Sequence, residues 1–260
     1  MRLDRNEIEK IAASVHTHEV LRNHCIIEAR AKNPDGSECD YSTDKLPALT
    51  APIPERAKWW SQRGIERHPD EFYVYYHAIA RVLKPRVIAE IGVWWGYALM
   101  AMVTGALYPH QTNKNQIAMC DHPSARWSIP APVDHVYGFD NESYPQAEHC
   151  LDWAAKCFNE IGVPNSMLHC DSRQFDATGL PPMLPVDLWS VDGDHSYQAA
   201  YKDLVLAHKY ASPACVMLVD DCGWALSVRD ACDDFAEKFG YDVWMLPTLK
   251  GTAVLERKIA

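Results

Sequence analysis

A chain of 260 residues that is 48% hydrophobic and 23% charged has an ordinary globular balance and can bury one sizeable core. With 35 acidic against 25 basic residues the formal net charge is −10, and no dense Lys/Arg run interrupts it, so nucleic acid is not the expected partner. No apolar run reaches the length of a membrane span, the start MRLDRNEIEK has no signal-peptide core, and nine scattered cysteines form no C-x-x-C pair; a reduced, cytoplasmic setting without a membrane partner is expected.

Residues 1–30 place Ile8, Ile11, Val15, Val20 and Leu21 at roughly helical spacing, while 33–57 are rich in turn formers and prolines. Residues 1–69 therefore read as a helical and irregular extension, a lid or an oligomerisation element, ahead of a single domain over 70–260. Within that domain strands are expected over 86–91, 116–120, 166–170, 188–191, 215–219, 242–246 and 252–256. Helices are expected over 71–83, 97–106, 146–161, 197–210 and 225–239. Short β-rich runs alternating with helices imply an α/β fold, a doubly wound and mostly parallel seven-stranded sheet. The last two runs are joined only by PTLKG, which suits a hairpin and an antiparallel strand at the C-terminal edge.

Ligands of such sheets bind beyond the carboxyl ends of the strands, so the polar residues there are the candidates. The first strand runs into VIAEIGVWWGYAL, where Glu90, Gly92 and Gly96 form E-x-G-x-x-x-G. That differs from the G-x-G-x-x-G turn that cradles a pyrophosphate, and it suits a cofactor with an amine and no phosphate. The second strand ends in AMCDHP, placing Asp121 where a carboxylate can accept both hydroxyls of a ribose. In LHCDSRQF, Asp171 and Ser172 are placed to hydrogen-bond an adenine edge, with a helix cap at Asp171 as the rival reading.

The fourth strand, in DLWSVDGDHSY, releases Asp192, Asp194 and His195, and the fifth, in VMLVDDCGW, releases Asp220 and Asp221. If these strands are neighbours, four carboxylates meet at one rim, and a hard divalent cation would offset their repulsion. Solvated loop-opening aspartates remain the plainer alternative for either pair alone. His169 reads as a core histidine, and Cys150, Cys157 and the FYVYY run at 72–76 read as packing residues.

EIGVWWG, CDSR, DLWSVDGDHSY and VDDCGW, in this order, resemble the class I S-adenosylmethionine-dependent methyltransferases. The subset they most resemble is the magnesium-dependent small-molecule O-methyltransferases, including those acting on sugars of macrolide and aminocoumarin antibiotics, together with the cephalosporin hydroxylase-like proteins. The resemblance covers roughly residues 70–257 and implies a Rossmann-like sheet. By that resemblance Glu90, Gly92 and Gly96 would line the methionine moiety of S-adenosylmethionine, Asp121 its ribose, and Asp171 with Ser172 its adenine. Asp192, Asp220 and Asp221 would hold Mg²⁺ or another divalent cation, and Asp194 would act as general base. His195 is the competing base, since imidazole titrates near neutrality. The implied acceptor is a hydroxyl of a small molecule: a sugar, a polyol or a phenolic natural product. Residues before 70 and the insert 122–145 match no motif, and self-association is left open. Two rivals stand beside this reading: a nucleotide-sugar glycosyltransferase using Asp192 and Asp194 as D-x-D, and an S-adenosylmethionine-binding protein without catalysis.

Overall fold

The computed structural model describes residues 3–14, 71–94, 96–107, 133–143, 149–160, 162–174, 182–223, 225–246, 248 and 250–258. Among them the chain forms helices α1 (Arg5–Ser14), α2 (Glu71–Leu83), α3 (Tyr97–Leu107), α4 (Cys150–Glu160), α5 (Tyr197–Lys209) and α6 (Leu226–Phe239). The strands are β1 (Val87–Ile91), β2 (His135–Asp140), β3 (Asn165–His169), β4 (Val186–Val191), β5 (Ala211–Val219), β6 (Tyr241–Leu246) and β7 (Thr252–Arg257). They make a single seven-stranded sheet in the order β3-β2-β1-β4-β5-β7-β6. The first five strands in that order pair in parallel, and β7 runs antiparallel to both β5 and β6.

Strands covered on both sides need apolar residues at every position, and alternate residues feed two cores. Ile88, Val136, Leu188, Leu218 and Val254 face one core, which is completed by Ile8 of α1, Ile79 of α2, Leu99 and Met100 of α3 and Phe158 of α4. Val87, Ala89, Ile91, Phe139, Trp189, Val191 and Met217 face the other, against Leu204 of α5 and Phe235 of α6. Helix α3 is apolar almost all round, as its position between α2 and the sheet requires. No described helix is long and apolar enough to cross a membrane.

Two placements differ from the sequence reading. The strand beside β1 is His135–Asp140, inside the segment read as an insert; residues 116–120, expected to be the second strand, lie outside the described residues. HVYGFD has polar ends and a central glycine, so its apolar signal is weak, and only pairing with β1 and β3 brings it into the core. The antiparallel strand is also not at the edge. A short connection forces β6 and β7 to pair without deciding which lies against β5. Strand β7 pairs with β5 on one side and β6 on the other, so Thr252 to Leu255 are all buried, whereas β6, although the more apolar run, takes the edge and is buried only at its ends.

The ladder continues past the strands. Gly92 N donates to Phe139 O (2.8 Å), Asp192 N to Ile91 O (2.9 Å), Asp220 N to Val191 O (3.0 Å) and Cys170 N to Asp140 O (2.8 Å). The residues leaving β1 to β5 are thereby held level along one rim. Strand β1 lies between β2 and β4, so the order reverses there and a crevice opens between the two loops.

Candidate active site

At that crevice β1 turns into α3 through residues 92–96. Gly92 sits at φ 81°, a left-handed conformation that favours glycine, and a Cβ there would strike the Asp192 carbonyl. The β1 turn and the β4 loop therefore touch backbone to backbone. Trp94, at φ 48°, donates its amide to Asp140 Oδ2 (2.9 Å). Gly96, at φ 75°, starts α3 by accepting from Met100 N (2.9 Å). A Cβ on Gly96 would lie 3.1 Å from Ala154 Cβ of α4, so its missing side chain serves helix packing. Glu90 is 1% exposed beneath the turn, where its Oε1 accepts from Ser190 Oγ (2.8 Å) of the neighbouring strand.

Asp140 closes β2 and is the carboxylate that the sequence reading missed at this rim; Asp121, assigned to the ribose, lies outside the described residues. Asp140 Oδ1 also accepts from Glu142 N (2.7 Å). Each of its oxygens retains a lone pair, so the carboxylate can still accept from a ligand. Glu142 Oε1 takes the Leu151 amide (3.1 Å), and its Oε2 lies 3.9 Å from His169 Nε2. His169 is 66% exposed in its side chain, at the end of β3 and not in the core. Asp171 and Ser172 follow it partly buried, at the start of a single turn of 3₁₀ helix over Ser172–Gln174.

The ends of β4 and β5 bring Asp192, His195 and Asp221 together. His195 Nε2 is 2.7 Å from Asp221 Oδ2, and one ligand atom from each of the three lies within 4.8 Å of the others. Donors each about 2.4 Å from a shared ion are at most about 4.8 Å apart, so the trio is within the limit for holding a divalent cation, and at 2.7 Å His195 and Asp221 pair with each other in its place. Asp221 holds its position at φ 64° and is 1% exposed. Asp220, assigned as a third carboxylate ligand, is buried, and its Oδ1 accepts from Thr252 Oγ1 (2.8 Å) of β7. Asp194 lies at the exposed rim, with its Oδ1 accepting from Ser196 N (2.8 Å) just before α5.

Burial pushes the Asp192 carboxyl well above the usual carboxylate range, and the charges of Asp220 and Asp221 push the same way. Burial and the Asp221 charge raise Asp220, against the opposing Lys250 ammonium and Thr252 hydroxyl. Glu90 is raised well above its ordinary value by burial, which outweighs the Ser190 hydrogen bond. Burial disfavours the charged form of Lys250, but Asp221, Asp192 and Asp220 outweigh it and raise its pKa. Lys250 Nζ lies 3.2 Å from Asp221 Oδ1, a contact no motif announced because it comes from the β6–β7 turn. Crowded carboxylates held in this way are short of positive charge, the condition a bound cation relieves.

Three solved structures share the fold. S-adenosylhomocysteine-bound methyltransferase PaMTH1 of Podospora anserina matches with a TM-score of 0.52 at 14% identity, covering 100% of this chain and 98% of its own. A protein described as a caffeoyl-CoA O-methyltransferase from Staphylococcus aureus gives 0.52 at 12% identity, covering 84% of this chain and 98% of its own. A methyltransferase from Geobacter sulfurreducens gives 0.50 at 10% identity, covering 82% and 89%. None of the curated proteins compared matches the chain. The model of a methyltransferase-domain family matches residues 89–222, which run from inside β1 to just past β5 and so span every loop of the crevice. With just over half of its 260 residues matched, and with this sheet order around the crevice, the chain belongs to that family and is a class I methyltransferase.

Proposed function

We propose that the protein is an S-adenosylmethionine-dependent O-methyltransferase that uses a divalent metal ion to methylate a hydroxyl of a small molecule, a sugar, polyol or phenol. The observation that carries this reading is the juxtaposition, across the Gly92–Asp192 contact, of a ribose-accepting carboxylate at Asp140 with the Asp192–His195–Asp221 trio. Bound S-adenosylmethionine supplies the activated methyl, and a divalent ion supplies Lewis-acid polarisation of the acceptor hydroxyl.

The chain's own residues do the rest. Asp140 accepts the ribose hydroxyls, Asp171 and Ser172 meet the adenine edge, and the turn 92–96 lies along the methionine moiety. Glu90 acts from beneath that turn as a buried acidic group close to the place of the amine. Asp192, Asp221 and His195 hold the ion, while Asp220, fixed by Thr252, adds its charge from behind. An imidazole among carboxylates admits Mn²⁺, Fe²⁺, Co²⁺ or Zn²⁺ beside Mg²⁺. With His195 engaged, Asp194 at the rim takes the hydroxyl proton. The D-x-D reading of Asp192 and Asp194 falls away with the family match. The cysteines among the described residues are free thiols, five of six buried, which supports a reducing, cytoplasmic setting.

Ligand-induced thermal shifts test the cofactor: S-adenosylhomocysteine should raise the melting temperature, and NAD or a UDP-sugar should not. Transfer of labelled methyl from S-adenosylmethionine to a panel of sugars, polyols and phenols then tests the reaction. Turnover should stop with EDTA and return with Mg²⁺ or Mn²⁺; full turnover after rigorous chelation would remove the metal from the mechanism.

A further inference from the structure

The connection between β6 and β7 does more than reverse the chain. Thr248 Oγ1 lies 3.1 Å from Thr252 Oγ1 and accepts the Thr252 amide (2.9 Å), while Gly251 N donates to Thr248 O (3.2 Å). Those bonds lock the turn. It is then fastened to the end of β5, because Gly223 N is shared by the carbonyls of Lys250 (2.7 Å) and Gly251 (3.2 Å). A Cβ on either Gly223 or Gly251 would clash with the other's backbone, so the two turns are in direct contact. Thr252 Oγ1 adds the bond to Asp220 Oδ1 (2.8 Å). Fixed at both ends, the turn delivers Lys250 Nζ to 3.2 Å from Asp221 Oδ1, with 53% of its side chain exposed.

The same carboxylates attract an ammonium and a divalent ion. Asp192, Asp220 and Asp221 together carry a formal charge of −3, which a divalent ion plus one ammonium balance. We propose that Lys250 is a tethered counter-ion of the carboxylate cluster: it holds the carboxylates together before a divalent ion arrives, and it weakens that ion's hold once bound. The second half rests on the metal reading above; the contact with Asp221 does not. A single and a double positive charge about 5 Å apart repel enough, even at the dielectric of water, to change an equilibrium constant about tenfold. The half-exposed stem can swing the ammonium away, so Lys250 sets the affinity without closing the site.

The test uses the full chain, stripped with chelator and titrated with Mn²⁺ alone, with the paramagnetic resonance signal of free Mn²⁺ as the readout. Lys250→Met keeps the length of the side chain and removes its charge; Lys250→Arg keeps the charge. Lys250→Met should bind Mn²⁺ about tenfold more tightly than the wild type, and Lys250→Arg should match the wild type. Without metal Lys250→Met should melt at a lower temperature than the wild type, and saturating Mn²⁺ should restore it. Binding to Lys250→Met but not to the wild type would support the counter-ion and overturn metal dependence. Equal or weaker binding by Lys250→Met overturns the counter-ion and leaves the metal reading intact. No binding by either protein overturns the metal reading and the second half of the proposal, and an unchanged melting temperature of metal-free Lys250→Met overturns the first half.

Discussion

Asp194 and His195 are neighbours in sequence whose side chains go to different places. His195 reaches Asp221, whereas Asp194 turns back on the Ser196 amide at the rim. Their substitutions should therefore separate binding from chemistry. Asp194→Asn should cut turnover by about 10²–10⁴-fold while Mn²⁺ and cofactor affinities stay at wild-type values. His195→Ala should instead lose Mn²⁺ affinity; if it keeps that affinity and Asp194→Asn is fully active, His195 is the base. By the proposed function Asp140 accepts the ribose hydroxyls, so Asp140→Ala should raise the S-adenosylhomocysteine dissociation constant by about 10–100-fold in calorimetry, the worth of one or two hydrogen bonds to a charged group. Glu90 permits a pH test. Its folded-state pKa is raised, chiefly by burial, so the fold favours the protonated form and loses stability as pH rises from the ordinary carboxylate range through that raised value. Glu90→Gln cannot ionise, so its stability advantage over the wild type should grow between pH 5 and pH 8 in urea midpoints. An unchanged gap would mean that the Glu90 charge is already compensated.

The strand ends and their turns form the next level, and here backbone contact decides. Gly92 is needed twice, for φ 81° and for contact with the Asp192 carbonyl. Gly92→Ala should destabilise the protein by at least the about 1–3 kcal/mol of a strained backbone position, and it should disturb the Asp192–His195–Asp221 trio because the β4 loop must yield. Retention of both stability and Mn²⁺ affinity in that variant would show that the two turns move independently. Gly96 differs, since the space for its side chain is taken by Ala154 of α4 and not by the β4 loop. The two positions look alike in E-x-G-x-x-x-G, and only the packing of neighbouring elements distinguishes them. His169 shows the same limit. Its strand was legible, but β3 is an edge strand and its last residue faces solvent.

Across the whole molecule the two ends of the chain meet. Leu3 N donates to Glu256 Oε1 (2.8 Å), Arg5 lies 4.4 Å from the Trp244 ring, and Ile8 is fully buried in the core shared by α2 and α3. Ile8→Ala should lower stability by about 2–5 kcal/mol while leaving cofactor affinity unchanged in the folded fraction. A near-neutral result would detach α1 from the core. Much of this architecture was readable by sight. Short apolar runs carry period and length locally, so six of the seven strands and the α/β class were legible from those runs, and the carboxylates after β4 and β5 from VDGDHSY and VDDCGW. Long-range pairing is not a local property. It decided that the weakly apolar HVYGFD lies beside β1 and brings Asp140 to the rim. It decided that β7 and not β6 is the inner strand, which is why β7 is the better buried of the pair. It also carried Lys250, 58 residues beyond Asp192, to the carboxylates of β4 and β5. The sequence by itself determined which groups are available and the strand ends from which most of them emerge, since those follow from periodicity and charge. Which of them meet was decided only by the tertiary structure, since the free energy of meeting belongs to pairs of residues far apart in the chain.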